Sequence, residues 1–240
     1  MSTTEGGGNV VQDGLYYYLD ASNPKSFTGG TYIKDLSRFQ QSGGTLIGGA
    51  LYSSSNKGCI TFDGVDEYIA LTQINTPQTV DKYSFSVWFS PSIDINSSIT
   101  SNYMIVEAQN TLGGGPFRTD NYLYFDSTQL GRLSFQIVDN SRTITTTTND
   151  WKAGNWYNIM CTYDISTSVL SLYVNGVIQN TSTRTPCYFN TNSFFNLGAY
   201  SSPTKQWFFP GRLGSFMLYT KTLTAAEVLQ NYNAAKYKYI

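Results

Sequence analysis

The sequence predicts an all-β chain: an antiparallel β-sandwich of the jelly roll type, closed by one short C-terminal helix. Three observations predict it. Short apolar runs alternate residue by residue, the period of a strand with one buried face. Turn-forming residues separate these runs at short intervals, as in sandwiches and jelly rolls. The spacing turns helical only near the end, in "LTAAEVLQNYNAAK" (Leu223 to Lys236).

The elements follow in chain order. Residues 1–13 are rich in Gly and Thr and read as a flexible arm; residues 14–240 read as one domain. The arm has neither a basic region nor an apolar run, so no signal peptide is expected in it. "YSFSVWF" places Tyr83, Phe85, Val87 and Phe89 on one face and Ser84, Ser86 and Trp88 on the other. "RLSFQIV" turns Leu133, Phe135 and Ile137 to one side, and "WYNIMCTYD" does the same with Ile159, Cys161 and Tyr163. "VLSLYVNG" points Leu170, Leu172 and Val174 inward and ends on Asn175-Gly176, a strong hairpin turn. Near the end, Phe216 and Leu218 alternate with Met217 and Tyr219. Thr222 or Thr224 can then cap a helix, and Glu227, three residues after Thr224, completes a capping box. Val228, Leu229 and Tyr232 lie at helical spacing. A helix this short is unstable alone, so it should pack on the sandwich, closing an open end. No repeat and no Pro-rich or charged linker divides the chain.

Composition excludes several function classes. At 240 residues, 40% hydrophobic and 15% aromatic, the chain can bury a substantial core. Only 13% of residues are charged, about half the usual share. The net charge is −1 and no basic block exists, which argues against nucleic acid or an anionic membrane as partner. No apolar run is long enough to span a bilayer. Cys59, Cys161 and Cys187 are odd in number, match no metal or redox motif, and read as small buried hydrophobes.

Four segments together resemble the laminin-G-like, concanavalin A-like jelly roll domains. They are "ITFDGVDEYIAL" (Ile60 to Leu71), "YSFSVWFSP" (Tyr83 to Pro91), "NWYNIMCTYDISTSVLSLYVNGVI" (Asn155 to Ile178) and "FFPGRLGSFMLYTKTLTAAEVLQNYNA" (Phe208 to Ala234). The two ends, "GLYYYLDASNPKSF" (Gly14 to Phe27) and "YTKTLTAAEVLQNYNA", resemble the version of this domain carried by virion proteins of tailed bacteriophages. That resemblance implies a structural protein on the particle exterior, a capsid decoration or head-fibre-type protein. Its partners would be capsid or other virion proteins, with further copies of itself and cell-surface glycans as additional partners. It would be made in the host cytoplasm, where free thiols persist and export is not needed. A carbohydrate-binding module or tail adhesin is the alternative, and a glycan hydrolase ranks third.

Catalysis is not expected. There is no His, which removes His-dependent triads, bases and metal sites. Glycoside hydrolysis needs two carboxylates about 5–10 Å apart. The four Glu are Glu5, Glu67, Glu107 and Glu227, none close to another in sequence, and Asp63 and Asp66 read as turn residues. "LGGGPF" (Leu112 to Phe117) lacks the Lys and the following helix of a phosphate loop.

A sugar-binding face needs exposed aromatic rings beside amide or charged groups. The loop "AYSSPTKQWFF" (Ala199 to Phe209) offers Tyr200, Lys205, Gln206 and Trp207, and Trp151 sits in another loop. Trp88 and Trp156 read as packing residues. No cofactor is expected. Calcium, common in the resembled family, could draw oxygen ligands from Asp20, Asp63 and Asp66, though no complete calcium loop is present.

Overall fold

The computed structural model describes residues 9–75, 82–110, 121–137, 142–183, 192–201 and 204–240, and every structural statement below concerns these. Their strands form two antiparallel sheets packed face to face. Sheet A runs β14 (Val177–Thr183), β13 (Val169–Val174), β12 (Tyr157–Asp164), β7 (Lys82–Pro91), β16 (Pro210–Tyr219), β5 (Cys59–Asp63) and β4 (Leu51–Ser53). The ten-residue β16 pairs with β7 on one side; on the other, its first half pairs with β5 and its second half with β1 (Leu15–Asp20). Sheet B runs β11 (Arg142–Thr145), β10 (Arg132–Ile137), β9 (Asn121–Asp126), β8 (Tyr103–Asn110), β15 (Asn192–Leu197), β6 (Tyr68–Asn75), β3 (Gly44–Ile47) and β2 (Tyr32–Ile33).

The alternation in the sequence sets the faces. Phe85, Val87 and Phe89 of β7, Ile159 and Cys161 of β12, and Phe216 and Leu218 of β16 meet Leu133, Phe135 and Ile137 of β10 in one core. The Phe85 and Phe135 rings meet edge to face across the gap, centroids 5.3 Å apart. Each such buried ring contributes about 1.5–3 kcal/mol through removal of apolar surface from water. Asn175 and Gly176 both take positive φ, +51° and +78°, as the tight hairpin between β13 and β14 demands.

The helix α1 (Ala225–Ala235) starts at Thr224. The Thr224 hydroxyl accepts from the Glu227 amide, and the Glu227 carboxylate accepts from the Thr224 amide at 2.8 Å, so the capping box is present. The helix does not close an end of the sandwich. It lies over the outer face of sheet A, where Val228 is fully buried among Met160, Tyr173, Met217 and Tyr219, while Leu229 stays 47% exposed. The reason lies in Met160 of β12, Tyr173 of β13, and Met217 and Tyr219 of β16, which make that outer face apolar and leave it needing a cover.

The chain after α1 completes the cover. Tyr239 and Tyr232 stack on Trp88 with centroids 4.6 and 5.6 Å away, and Tyr239 also meets Trp156 at 4.6 Å. Only a glycine at position 214 admits this tail, because a Cβ there would lie 2.4 Å from the Tyr239 ring. Lys238 reaches the buried Asp20 of β1 at 2.5 Å. From the N-terminal segment, the Val11 amide donates to Asn231 Oδ1 (2.8 Å), and Gln230 Nε2 donates to the Asn9 carbonyl (2.9 Å). Residues 9–13 of the expected arm are therefore docked on the helix, and residues 1–8 lie outside the described residues.

Candidate functional site

Residues 9–13 and the C-terminal helix and tail cover the outer face of sheet A, while on the outer face of sheet B the described residues place one hairpin. Alternation decides what that second face presents. Leu123 and Phe125 of β9 enter the core, so Tyr122 and Tyr124 point outward. Val106 and Ala108 of β8 point in, so Met104 and Glu107 point out. Asn196 of β15 sits beside Glu107 in register.

A hairpin folds over this face between β15 and β16. Tyr200 and Gln206 pair through two backbone hydrogen bonds of 2.9 and 2.8 Å, with residues 202 and 203 at the tip outside the described residues. Its base is fixed at three points: the Gly198 amide on the Ile105 carbonyl, the Phe209 amide on the Gly198 carbonyl, and the Met104 amide on the Trp207 carbonyl. Phe209 is buried against Phe89 and Phe125, whereas Trp207 turns outward. That turn places Trp207 at φ +54°, a left-handed conformation that disfavours a bulky side chain by about 1–2 kcal/mol. Packing holds it there. Its ring stacks on Tyr200 at 4.5 Å and on Tyr124 at 5.7 Å, while Tyr122 meets Tyr200 edge to face at 5.4 Å. Both Tyr200 and Trp207 are partly buried.

Beneath the hairpin lies a single buried carboxylate. Glu107 accepts from Asn196 Nδ2 at 2.7 Å and from the Ser201 amide at 3.2 Å. Burial pushes its carboxyl above the usual range; the bonds from Ser201 and Asn196 and the nearby Lys205 ammonium oppose the rise. Lys205 is exposed and holds its ammonium 4.4 Å above the Tyr68 ring centroid. Desolvation lowers its pKa, and Glu107 pulls the other way. The hairpin gathers stacked rings, Gln206 and the Lys205 cation in one patch. That set suits a polyhydroxylated ligand, whose C–H groups lie on rings and whose hydroxyls pair with amides.

The structure thus brings Tyr200, Lys205, Gln206 and Trp207 together on one hairpin. It separates Trp151 from them and corrects the expectation of a surface ring. The amide and carbonyl of Trp151 pair with Ile95, and its side chain is fully buried among Phe89, Phe125 and Tyr157. Glu107, Asn196, Tyr122, Tyr124 and Tyr68 join the hairpin's surroundings without having been foreseen; the alternating tyrosines of "NYLYFD" (Asn121 to Asp126) were the signal available.

Two of the carboxylates considered for calcium are engaged within the chain. Asp20 is engaged by Lys238, the Tyr18 hydroxyl and the Ser22 amide and hydroxyl. Asp63 closes its own turn by accepting from the Val65 amide. Among the described residues no three acidic or cysteine side chains gather as a metal cluster.

The fold and its open face define a jelly roll of the lectin kind, and comparison with known proteins agrees. A family model for the concanavalin A-like lectin/glucanases superfamily, laminin G type 3, matches residues 63–229. The chain belongs to this family. A search of curated proteins returned no match. Among solved structures, the Trypanosoma rangeli sialidase is similar at a TM-score of 0.65 and 15% identity, over 97% of this chain and 36% of that one. The receptor-binding domain of botulinum neurotoxin type G is similar at 0.63 and 15%, over 92% of this chain and 51% of that one. Domain 4 of an extracellular arabinanase from Geobacillus stearothermophilus, solved with arabinotriose, is similar at 0.61 and 18%, over 92% of this chain and the whole of that domain. The chain thus spans about a third to a half of the sialidase and toxin structures, and at these identities the likeness is one of fold.

Proposed function

We propose that this chain is a non-catalytic glycan-binding domain that serves on the exterior of a phage particle, as a decoration or head-fibre-type structural protein. The observation that carries glycan binding is the Tyr200–Trp207 hairpin. A strained, partly buried tryptophan is held beside Gln206 and Lys205 over the outer face of sheet B. Strain kept at a surface loop is a common mark of a functional contact. The sugar-bound arabinanase domain supports the same reading by analogy of fold.

The non-catalytic part is supported by Glu107. Glu107 is bonded by Asn196 and Ser201, and among the described residues no carboxylate is one of its hydrogen-bond partners. A lone carboxyl cannot supply both acid and base or nucleophile to a glycoside. The virion part is supported by the two end segments that resemble phage proteins. β1 and β16 pair directly, and Lys238 ties the tail to Asp20, so these segments form one unit on sheet A, opposite the proposed sugar face.

Two experiments test this. On a glycan array, the domain should bind a defined subset of oligosaccharides, and Trp207→Ala should abolish binding of the neutral ones. Mass spectrometry of purified particles should find the chain in many copies per particle; its absence would remove the virion reading and leave a free carbohydrate-binding module.

A further inference from the structure

A second concave surface lies at the other edge of sheet B, built by elements that the hairpin does not touch. It is an open cleft of about 450 Å³ lined by Lys25, Tyr32, Lys34 and the loop carrying Asp35, Ser37, Gln40 and Gln41. The loop is tightly held. Asp35 Oδ1 accepts from the Tyr18 and Ser37 amides, and its Oδ2 accepts from the Ser37 hydroxyl and the Gln41 amide. Gln41 Nε2 donates to the Tyr16 hydroxyl, and the Gly43 amide donates to the Tyr32 hydroxyl at 2.6 Å. The two lysines are brought to one cleft by a small hairpin. The Phe27–Ile33 bridge and the exchange between Ser26 and Lys34 set it: the Lys34 amide donates to the Ser26 carbonyl, and the Ser26 hydroxyl to the Lys34 carbonyl.

The charges on this rigid frame are unbalanced. Lys25, Lys34 and the neighbouring Arg38 are all exposed, and none forms an ion pair among the described residues. Asp35 is the carboxylate of the cleft, and its oxygens are taken by four donors. Two exposed aromatics flank the cations. Tyr32 is 42% exposed, and so is Phe39, with the Arg38 guanidinium 4.8 Å above its ring. Gln40 is held at φ +47°, a second instance of a non-glycine residue strained at a surface loop.

We propose that this cleft is a separate saccharide site selective for an acidic sugar. Its carboxylate or sulfate would sit between Lys25 and Lys34, its ring against Tyr32, and its hydroxyls on Gln40 and Gln41. Unpaired ammonium groups supply the anion selectivity, the amides and aromatic ring supply sugar recognition, and the Asp35 network keeps both in place before the ligand arrives. The site does not depend on the Tyr200–Trp207 hairpin.

The test is calorimetric titration of the full chain with an oligogalacturonate, a sulfated oligosaccharide and a neutral oligosaccharide of the same length. One or both anionic ligands should bind at least about tenfold tighter than the neutral one, which corresponds to about 1.4 kcal/mol. The preference should shrink at high salt. Lys25→Ala with Lys34→Ala should remove the preference, the double Lys→Arg variant should retain it, and the anionic ligand should still bind Trp207→Ala. Whether uronate or sulfate binds identifies the anion. Equal affinity for acidic and neutral ligands, or an anion preference that survives the double alanine variant at unchanged melting temperature, would overturn the site. Loss of anionic-ligand binding in Trp207→Ala alone would assign that binding to the hairpin instead.

Discussion

The two outer faces of the sandwich are made by the same alternation and treated in opposite ways. On sheet A, the outward residues of β7, β12 and β16 include Trp88, Met160, Met217 and Tyr219, and the chain's own two ends seal them from water. On sheet B, the outward residues include Tyr122, Tyr124, Glu107 and Asn196, and among the described residues the Tyr200–Trp207 hairpin covers them and leaves them buried. The first face serves stability, and the proposed recognition site lies over the second. A terminal helix that looks like an appendage in the sequence serves to make one sheet two-sided in its burial, which frees the other to be polar.

This contrast can be broken by mutation, and the largest effect belongs to the closed face. Trp88→Ala removes a fully buried indole stacked by two tyrosines and should cost about 3–5 kcal/mol of unfolding free energy, read by urea denaturation. Sugar binding by the fraction that stays folded should persist. Gly214→Ala drives a methyl into the Tyr239 ring and should cost about 1–3 kcal/mol by displacing the tail. A neutral result would mean that the tail does not seal sheet A. Thr224→Ala removes the cap of α1 and should cost about 1 kcal/mol in the same assay.

The open face should respond to pH more than to truncation. Burial raises the Glu107 carboxyl in the folded state above its unfolded value. The folded protein then holds the proton more tightly, so this group's stabilising share is full below the unfolded carboxyl range. It is lost as pH rises through the raised folded value. Stability measured across mildly acidic to neutral pH should fall more steeply in the native chain than in Glu107→Gln. Equal slopes would show that Lys205 and the bonds from Ser201 and Asn196 cancel the burial.

Much of the fold was legible because period-two patterning reports burial directly. Phe85, Leu133, Ile159, Leu172 and Phe216 all face the core as their spacing required, and the Asn175–Gly176 turn and the Thr224–Glu227 capping box sit where their residue types placed them. Burial on the second face of β7 was legible at Trp88, which reads as a packing residue and is fully buried, but not at its two serines. Ser84 and Ser86 look solvent-facing, yet both are buried: Ser84 donates to the Lys221 carbonyl and Ser86 accepts from Asn158. Their cover arrives from the distant C-terminal segment, and alternation within a strand carries no record of it. The candidate site was half legible for a related reason. Tyr200, Lys205, Gln206 and Trp207 are neighbours in sequence and stay together, whereas Glu107, Tyr122 and Tyr68 join them only through strand order. Trp151 was misplaced because a loop position does not reveal that its backbone pairs with Ile95 and carries the ring into the sandwich.

The most direct test of the division between the faces is to map ligand contact residue by residue. An oligosaccharide selected on the array would be titrated into isotope-labelled protein while the amide resonances are followed. The account predicts shifts concentrated at Tyr200, Gln206, Trp207, Tyr122 and Asn196, with the amides of α1 and the outer face of β12 unmoved. Shifts centred on α1 and the Trp88–Tyr239 stack, with the hairpin silent, would contradict it.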